Sequence, residues 1–414
     1  MSGKTILIHG TSHDSINAAI WLASLGHQVQ FLGNVDEVDG VLTHYKFDHQ
    51  MFALWQMYCQ MGKICVKQHD GVADYLWLFV GTGNDGELDD LVRFADDKPV
   101  IISGSLDIGQ IDTLAKRFYG KVCYVPFVFS QEGSGFASIS SPDLVLIGEK
   151  NTGDHHAMDI LLSLIVKADN HYVSDIATIE FARSSIMAML ATRLSFINEM
   201  ARLADESDVD IAKVQAILGL DQRIGDKYLS AGWGFGGHTL PTETALLDDY
   251  FAKKQVTNPL LTAVIDTNTD QKELIFRKFW QYFDGFIDQK TVMIWGAGYR
   301  QNTGRTTNGA IHPLLKLLWS YGIKTNIYAP NAGFELAKFY GNEPLFGLTD
   351  DAYALDGVQA LFVLNWSDVT PPDVAKLNQF AMPIFDAKNL FDDRAISELV
   401  ADYHGIGRNK NGAI

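Results

Sequence analysis

The stretch Ile176–Asp205 limits the fold more than any other, because its apolar residues return at three- and four-residue steps along its whole length. Ile179, Ile186, Met189, Ile197 and Leu203 carry that period, and Ser174 or Asp175 offers an N-cap ahead of it. A helix of this length outgrows a small domain and predicts a spine between two lobes, with a surface for a second copy of the chain. On both sides the pattern switches to short β-rich runs alternating with helical ones, the mark of a parallel sheet covered by helices. Strands are expected at 6–9, 29–32, 75–80, 100–103, 122–125 and 144–147, and again at 291–295, 324–328, 360–364 and 382–385. Between the two series, a second helix is expected at 259–283. The fold class is therefore α/β, with two parallel-sheet lobes around a helical middle.

Length and composition agree with such a plan. The 414 residues suffice for two or three domains, and 47% hydrophobic with 20% charged residues is ordinary globular usage. Lys and Arg number 33 against 50 Asp and Glu, a formal charge of −17. That balance gives no long-range attraction to nucleic acid or anionic lipid. Three cysteines, Cys59, Cys65 and Cys123, show no metal or disulfide spacing, so no metal site is expected and a reducing cytoplasm is the expected location. Apolar runs break within about ten residues, short of the roughly 18 that span a bilayer, and no membrane segment is expected.

Two glycine-bearing segments carry the chemistry. The first, Gly10-Thr-Ser-His-Asp-Ser15, stands between the first strand and the first helix, where a dinucleotide fingerprint would lie. Ser12 and Ser15 hold its second and third glycine places, and the second strand ends Leu32-Gly33-Asn34 without the acid that holds a ribose. A surviving dinucleotide turn and a lobe that has lost it are both compatible with these residues. The second segment, Gly232-Trp-Gly-Phe-Gly-Gly237, has four glycines in six places, which predicts a backbone passing close to a ligand. Arg223, Lys227 and Tyr228 supply phosphate-type donors nearby; a tight structural turn is the alternative.

At four separated places, in order, the chain resembles the UDP-glucose/GDP-mannose dehydrogenase family. Leu190-Ala-Thr-Arg-Leu-Ser-Phe-Ile-Asn-Glu199 is similar to L-A-T-K-I-S-F-I-N-E, and Asp221-Gln-Arg-Ile-Gly225 through Gly237 to D-x-R-I-G and G-[YF]-G-G. Asn302-Thr303 falls within a counterpart of G-L-A-F-K-P-N-T, and Tyr403-His-Gly-Ile-Gly-Arg408 resembles Y-x-G-I-G-R. The resemblance implies two Rossmann-like domains, 1–172 of the NAD type and 288–414 of the UDP-sugar type, joined by a central dimerising domain at 173–287. It also implies NAD as cofactor, a nucleotide sugar such as a UDP-sugar as substrate, and a homodimer.

The departures fall on the catalytic positions. Thr239 stands where the family carries the cysteine that forms a thioester, and a threonine hydroxyl lacks a thiolate's nucleophilicity. The two residues after the loop's proline, lysine and aspartate in the family, are Thr242 and Glu243. Arg183 replaces a lysine in Arg183-Ser-Ser-Ile-Met187, whose last place has lost an asparagine, and Ser105 replaces a threonine that positions water. Of two glutamates only Glu132 remains. Catalytic roles thus carry over to Thr239, Glu243, Arg183, Ser105 and Glu132, and cofactor contacts to Gly10, Ser12, Ser15, Gly81 and Thr82. Substrate contacts carry over to Arg223, Tyr228, Phe235, Gly236, Gly237, Tyr299 and Arg300. Two functions are open to such a chain: a diverged NAD-dependent oxidoreductase working without the thioester step, or a non-catalytic relative that binds a nucleotide sugar as a regulatory or assembly subunit.

Overall fold

The computed structural model describes residues 3–67, 72–81, 88–128, 134–207, 209–301, 303–366, 370–380 and 382–408. The chain divides into two units, Met1–Ile186 and Met187–Ile414, parted within the long helix.

In the first unit the apolar runs become β1 (Thr5–His9), β2 (Gln28–Leu32), β3 (Ile64–Lys67), β4 (Tyr75–Val80), β5 (Val100–Gly104), β6 (Val122–Tyr124), β7 (Leu144–Glu149) and β8 (Asn170–Asp175). They form one sheet in the order β3-β2-β1-β4-β5-β6-β7-β8. Around it run α1 (His13–Ser24), α2 (Val35–His44), α3 (His49–Gln60), α4 (Leu88–Ala95), α5 (Gln110–Ala115), α6 (Gly135–Ser140) and α7 (Asp159–Lys167). The middles of β1, β4 and β5 and all of β6 are buried, as parallel strands covered on both faces must be.

All pairings are parallel except β6 with β7. Apart from the β6–β7 pairing the lobe is thus parallel, as the alternation of strands and helices predicts.

The long helix α8 is Ile176–Asp205, as its periodicity predicts. After the division within it, the second unit continues with α9 (Ile211–Leu220), α10 (Thr239–Lys253), α11 (Pro259–Gln271) and α12 (Leu274–Tyr282). The helical stretch expected at 259–283 is thus filled by α11 and α12. At the break the Asp270 carbonyl accepts the Glu273 N–H at 3.2 Å, a three-residue turn, and Arg277 donates to the same carbonyl and to the Asp270 carboxylate. The second sheet comes next: β9 (Thr291–Trp295), α13 (Ile311–Ser320), β10 (Lys324–Tyr328), α14 (Gly333–Tyr340), β11 (Phe346–Leu348), β12 (Ala360–Val363), α15 (Val374–Leu377), β13 (Ile384–Asp386), α16 (Asp393–Glu398) and β14 (Tyr403–Gly405). Its order is β11-β10-β9-β12-β13-β14, parallel throughout.

The closing motif 403–408 seams this sheet to the helices. Gly407 accepts the Ile211 N–H at 2.9 Å, Arg408 pairs with Asp210 at 3.3 Å, and the Tyr403 hydroxyl donates to Asp386 at 2.9 Å. Strand order reverses between β1 and β4 and again between β9 and β12. In open α/β sheets such points are where ligands bind.

Candidate functional site

At the first reversal, Gly10 ends β1 with φ +95°, and a Cβ there would lie 2.1 Å from the Phe79 carbonyl of β4. Only glycine makes this turn. Beyond Gly10 the turn departs from a dinucleotide cradle. Ser12 is the N-cap of α1: its hydroxyl accepts the Ser15 N–H at 3.1 Å, and the Ser15 hydroxyl accepts the Ser12 N–H at 2.8 Å. A pyrophosphate is held by backbone N–H groups of this turn, and here two of them already have partners within the chain. Ser15 is fully buried and fills the gap that a third glycine leaves. The carboxylate of Asp14 sits in the same turn, 3.5 Å from His13. These residues do not fit a dinucleotide pyrophosphate.

Elsewhere in this unit, Arg183 on α8 donates to the Ser105 hydroxyl beyond β5, so two of the five catalytic candidates are in contact. Glu180, one turn earlier, is buried and accepts the N–H groups of Gly109, Ile111 and Asp112. Burial pushes its carboxyl above the ordinary range although these bonds pull it down. Glu180 thereby fixes the start of α5 and orients the turn of α8 that carries Arg183. Gly81 is exposed at the end of β4, while Thr82 and Glu132 lie outside the described residues. Cys59 and Cys123 offer no substitute nucleophile. Burial pushes the Cys59 thiol to about 11 and raises that of Cys123 further.

In the second unit the glycine loop is clamped from three sides. Asn198 of α8 accepts the Gly232 N–H at 2.9 Å, and Gln271 of α11 donates to the Gly232 carbonyl at 2.7 Å. Asn268 of α11 accepts the Phe235 N–H at 2.7 Å and donates to the Phe235 carbonyl at 3.2 Å. From the turn after β9, Asn308 donates to the Gly237 carbonyl and the Thr307 carbonyl accepts the Gly237 N–H. A Cβ on Gly236 would lie 3.0 Å from that of Tyr299, and one on Gly237 only 2.7 Å from the Tyr299 ring. Phe235, Gly236, Gly237 and Tyr299 are therefore brought together, and Arg300 is next in the same turn. Lys272 donates to the Asn308 carbonyl at 2.9 Å, its ammonium held below its ordinary pKa by burial.

Beside this loop stands Lys388, whose side chain a Cβ on Gly232 would meet at 3.4 Å. Burial lowers its ammonium to about 8, against the opposing pull of Asp386. Thr239 is the exposed first residue of α10, and Glu243, one turn on, is 1% exposed. Arg223 and Tyr228 occupy the preceding turn. Arg193 holds that turn by donating to the carbonyls of Ile224, Gly225 and Lys227 at 2.8–2.9 Å. Arg223 itself is 89% exposed and pairs with Asp221 at 2.6 Å.

The amides Asn198, Asn268 and Gln271 escaped sequence reasoning. A signal was present: Asn268 and Gln271 are polar at a three-residue step on a helix whose neighbours Leu261 and Val264 are apolar and buried. Among the described residues no group of three possible metal ligands occurs, and no helix is long and apolar enough to cross a membrane.

Residues 177–270 match the profile of the UDP-glucose/GDP-mannose dehydrogenase family, central domain. The UDP-glucose 6-dehydrogenase of Pseudomonas aeruginosa is 31% identical over 307 residues, covering 72% of this chain and 67% of that one. The Bacillus subtilis UDP-glucose 6-dehydrogenase TuaD is 28% identical over 284 residues, 68% of this chain and 60% of its own. The chain thus spans two thirds or somewhat less of such relatives. A UDP-glucose dehydrogenase structure from Pyrobaculum islandicum shares the fold with a TM-score of 0.82 at 20% identity, covering 98% of each chain.

Proposed function

The chain belongs to the UDP-glucose/GDP-mannose dehydrogenase family, and from that premise we propose that it binds a nucleotide sugar of the UDP-sugar class in its second unit without the thioester oxidation. The glycine loop 232–237 carries this reading. Its backbone groups are fixed by buried amides, its glycines leave no room for side chains against Tyr299, and Lys388 adds a cation beside it. The Gly232, Phe235 and Gly237 N–H groups are spent within the chain, so a diphosphate would be recognised through the compact Lys388 ammonium beside a loop with no room for side chains. Tyr299, Arg300 and the loop residues 235–237 serve the sugar nucleotide, and Arg223 serves a site in a second copy of the chain. Thr239 supplies no thiolate, and Met187, buried where the family has an asparagine, supplies no amide. Calorimetric titration with UDP-glucose tests the reading: saturable binding that weakens on Lys388→Ala is expected, and no heat of binding would end it.

A second reading, a two-electron NAD-dependent oxidation, is favoured by the contact of Arg183 with Ser105. The guanidinium could stabilise an oxyanion, although its high pKa makes it a poor proton carrier. Under this reading Glu132 and Glu243 would assist, with Gly81 and Thr82 on the cofactor. The serine-capped turn in the first unit sets it second.

For the oligomer we propose a homodimer through the central helices, with 173–287 as the dimerising part. Met189, Phe196 and Leu203 recur at seven-residue steps along α8 and are 62%, 45% and 60% exposed. Phe196→Glu should convert a dimer to a monomer in sedimentation velocity; an unchanged dimer would place the interface elsewhere.

A further inference from the structure

The turn after β1 retains the backbone of a nucleotide site while its side chains oppose the ligand. Gly10 keeps the left-handed conformation and the close approach to Phe79, so the path of the chain into α1 is intact. Ser12 and Ser15 form a reciprocal capping box, each hydroxyl accepting the other's backbone N–H. The Ser15 hydroxyl also donates to the Ser12 carbonyl at 3.0 Å. A pyrophosphate oxygen that approached the Ser12 or Ser15 N–H would have to displace one of these bonds.

Charge adds to this. Asp14 lies in the first turn of α1, and Glu37 comes to it from the first turn of α2. The Glu37 carboxylate accepts from the Thr11 hydroxyl at 3.5 Å and lies 3.9 Å from where a side chain on Gly33 would begin. Two carboxylates thus flank the place where a helix dipole would otherwise favour an anion.

Nor can the turn easily rearrange, because its middle residue is packed. His13 is buried, 3.7 Å from Asp48 at the start of α3, 3.2 Å from the Asn17 amide, and 4.5 Å between ring centres from Tyr45. Gly135, which opens α6, donates to Asp48, and a Cβ on it would lie 2.8 Å from the His13 ring. Three segments therefore hold the first turn of α1 in its capped form.

We infer that the first unit excludes dinucleotides by occupying its own pyrophosphate site, and that the exclusion rests on Ser12, Asp14 and Ser15 and is reversible by changing them. Gly10 and the strands behind it remain as the scaffold. A nucleotide sugar held by the second unit is then held without a hydride acceptor in the same chain, which makes the protein a binder of the substrate class rather than its oxidant.

The test is a fluorescence titration with NADH of the natural chain, of Ser12→Gly/Ser15→Ala, and of that variant with Asp14→Asn added. The natural chain should show no saturation up to about 1 mM NADH, and freeing two donors and then removing a carboxylate should tighten binding by roughly tenfold or more at each step. UDP-glucose titration of the same samples should be unchanged, so loss of sugar binding speaks to the second unit alone. Asp14→Asn by itself leaves the serine cap in place and should also gain affinity, which keeps the test available if the double variant does not fold. Saturable micromolar binding of NADH by the natural chain overturns the inference. So does a folded variant, by circular dichroism, that binds NADH no better than the natural chain.

Discussion

Both sheets end their first strand with the same device, and the two turns differ in the residues that come after it. Gly10 after β1 has φ +95° with its Cβ position 2.1 Å from the Phe79 carbonyl; Gly296 after β9 has φ +78° and 2.3 Å to the Asn365 carbonyl. In each case the neighbouring main chain dictates a glycine, whatever the turn then does. In the first unit the next residues cap their own helix with serines. In the second, Tyr299 lies against a glycine loop whose own polar groups are engaged by amides of helices α8 and α11. Backbone donors are engaged within the chain at both places; what differs is the charge beside them, the Asp14 and Glu37 carboxylates at the first and the Lys388 ammonium at the second, so a preserved turn reports the fold and its flanking charges report the function.

The contrast breaks most sharply at the glycines. Gly10→Ala should destabilise folding by at least about 3 kcal/mol, combining a positive φ with a collision against main chain, while leaving UDP-glucose affinity unchanged in whatever fraction folds. Gly237→Ala sets a methyl against the Tyr299 ring at φ +82°; it should cost about 1–3 kcal/mol and weaken UDP-glucose by roughly a hundredfold or more. Chemical denaturation and calorimetry read the two quantities separately, and equal losses of affinity would erase the distinction between the turns.

A smaller effect is expected at Asn268. Asn268→Ala leaves the Phe235 N–H and carbonyl without their partner, a penalty of about 1–3 kcal/mol for each group that stays dry. UDP-glucose should bind about tenfold more weakly, whereas the first unit's behaviour toward NADH should not move.

The mildest change is a pH dependence. Burial holds the Lys388 ammonium at about 8 rather than 10.5, so it is charged below that value and neutral above it. Affinity for UDP-glucose should be level well below 8 and fall as the pH rises through 8. Lys388→Met should be weak and flat over the same range, and Lys388→Arg should keep its affinity to higher pH. A decline that persists in Lys388→Met would assign it to another group.

Much of this organisation was legible in the sequence, for physical reasons that also mark its limits. Helix α8 announced itself because a helix half in solvent needs the 3.6-residue period, and β4 and β5 because strands buried on both faces are continuous apolar runs. The edge strands β3 and β11 and the largely exposed β8 were silent, since short or polar strands carry no such run. At the site, the glycines of 232–237 were readable as a backbone passing close to something. Ser12 and Ser15 read only as absent glycines, although their three-residue spacing is also that of a capping box. Sequence could identify the loss but not the hydrogen bonds that replaced it. The clamp by Asn198, Asn268 and Gln271 depends on how helices distant in sequence meet the loop.

The most direct measurement is calorimetric titration of the natural chain with UDP-glucose and, separately, with NADH. Saturable binding of the sugar nucleotide with no saturable binding of NADH is the expected result. Saturable NADH binding with no binding of UDP-glucose would contradict it, because the functional turn would then be the one after β1.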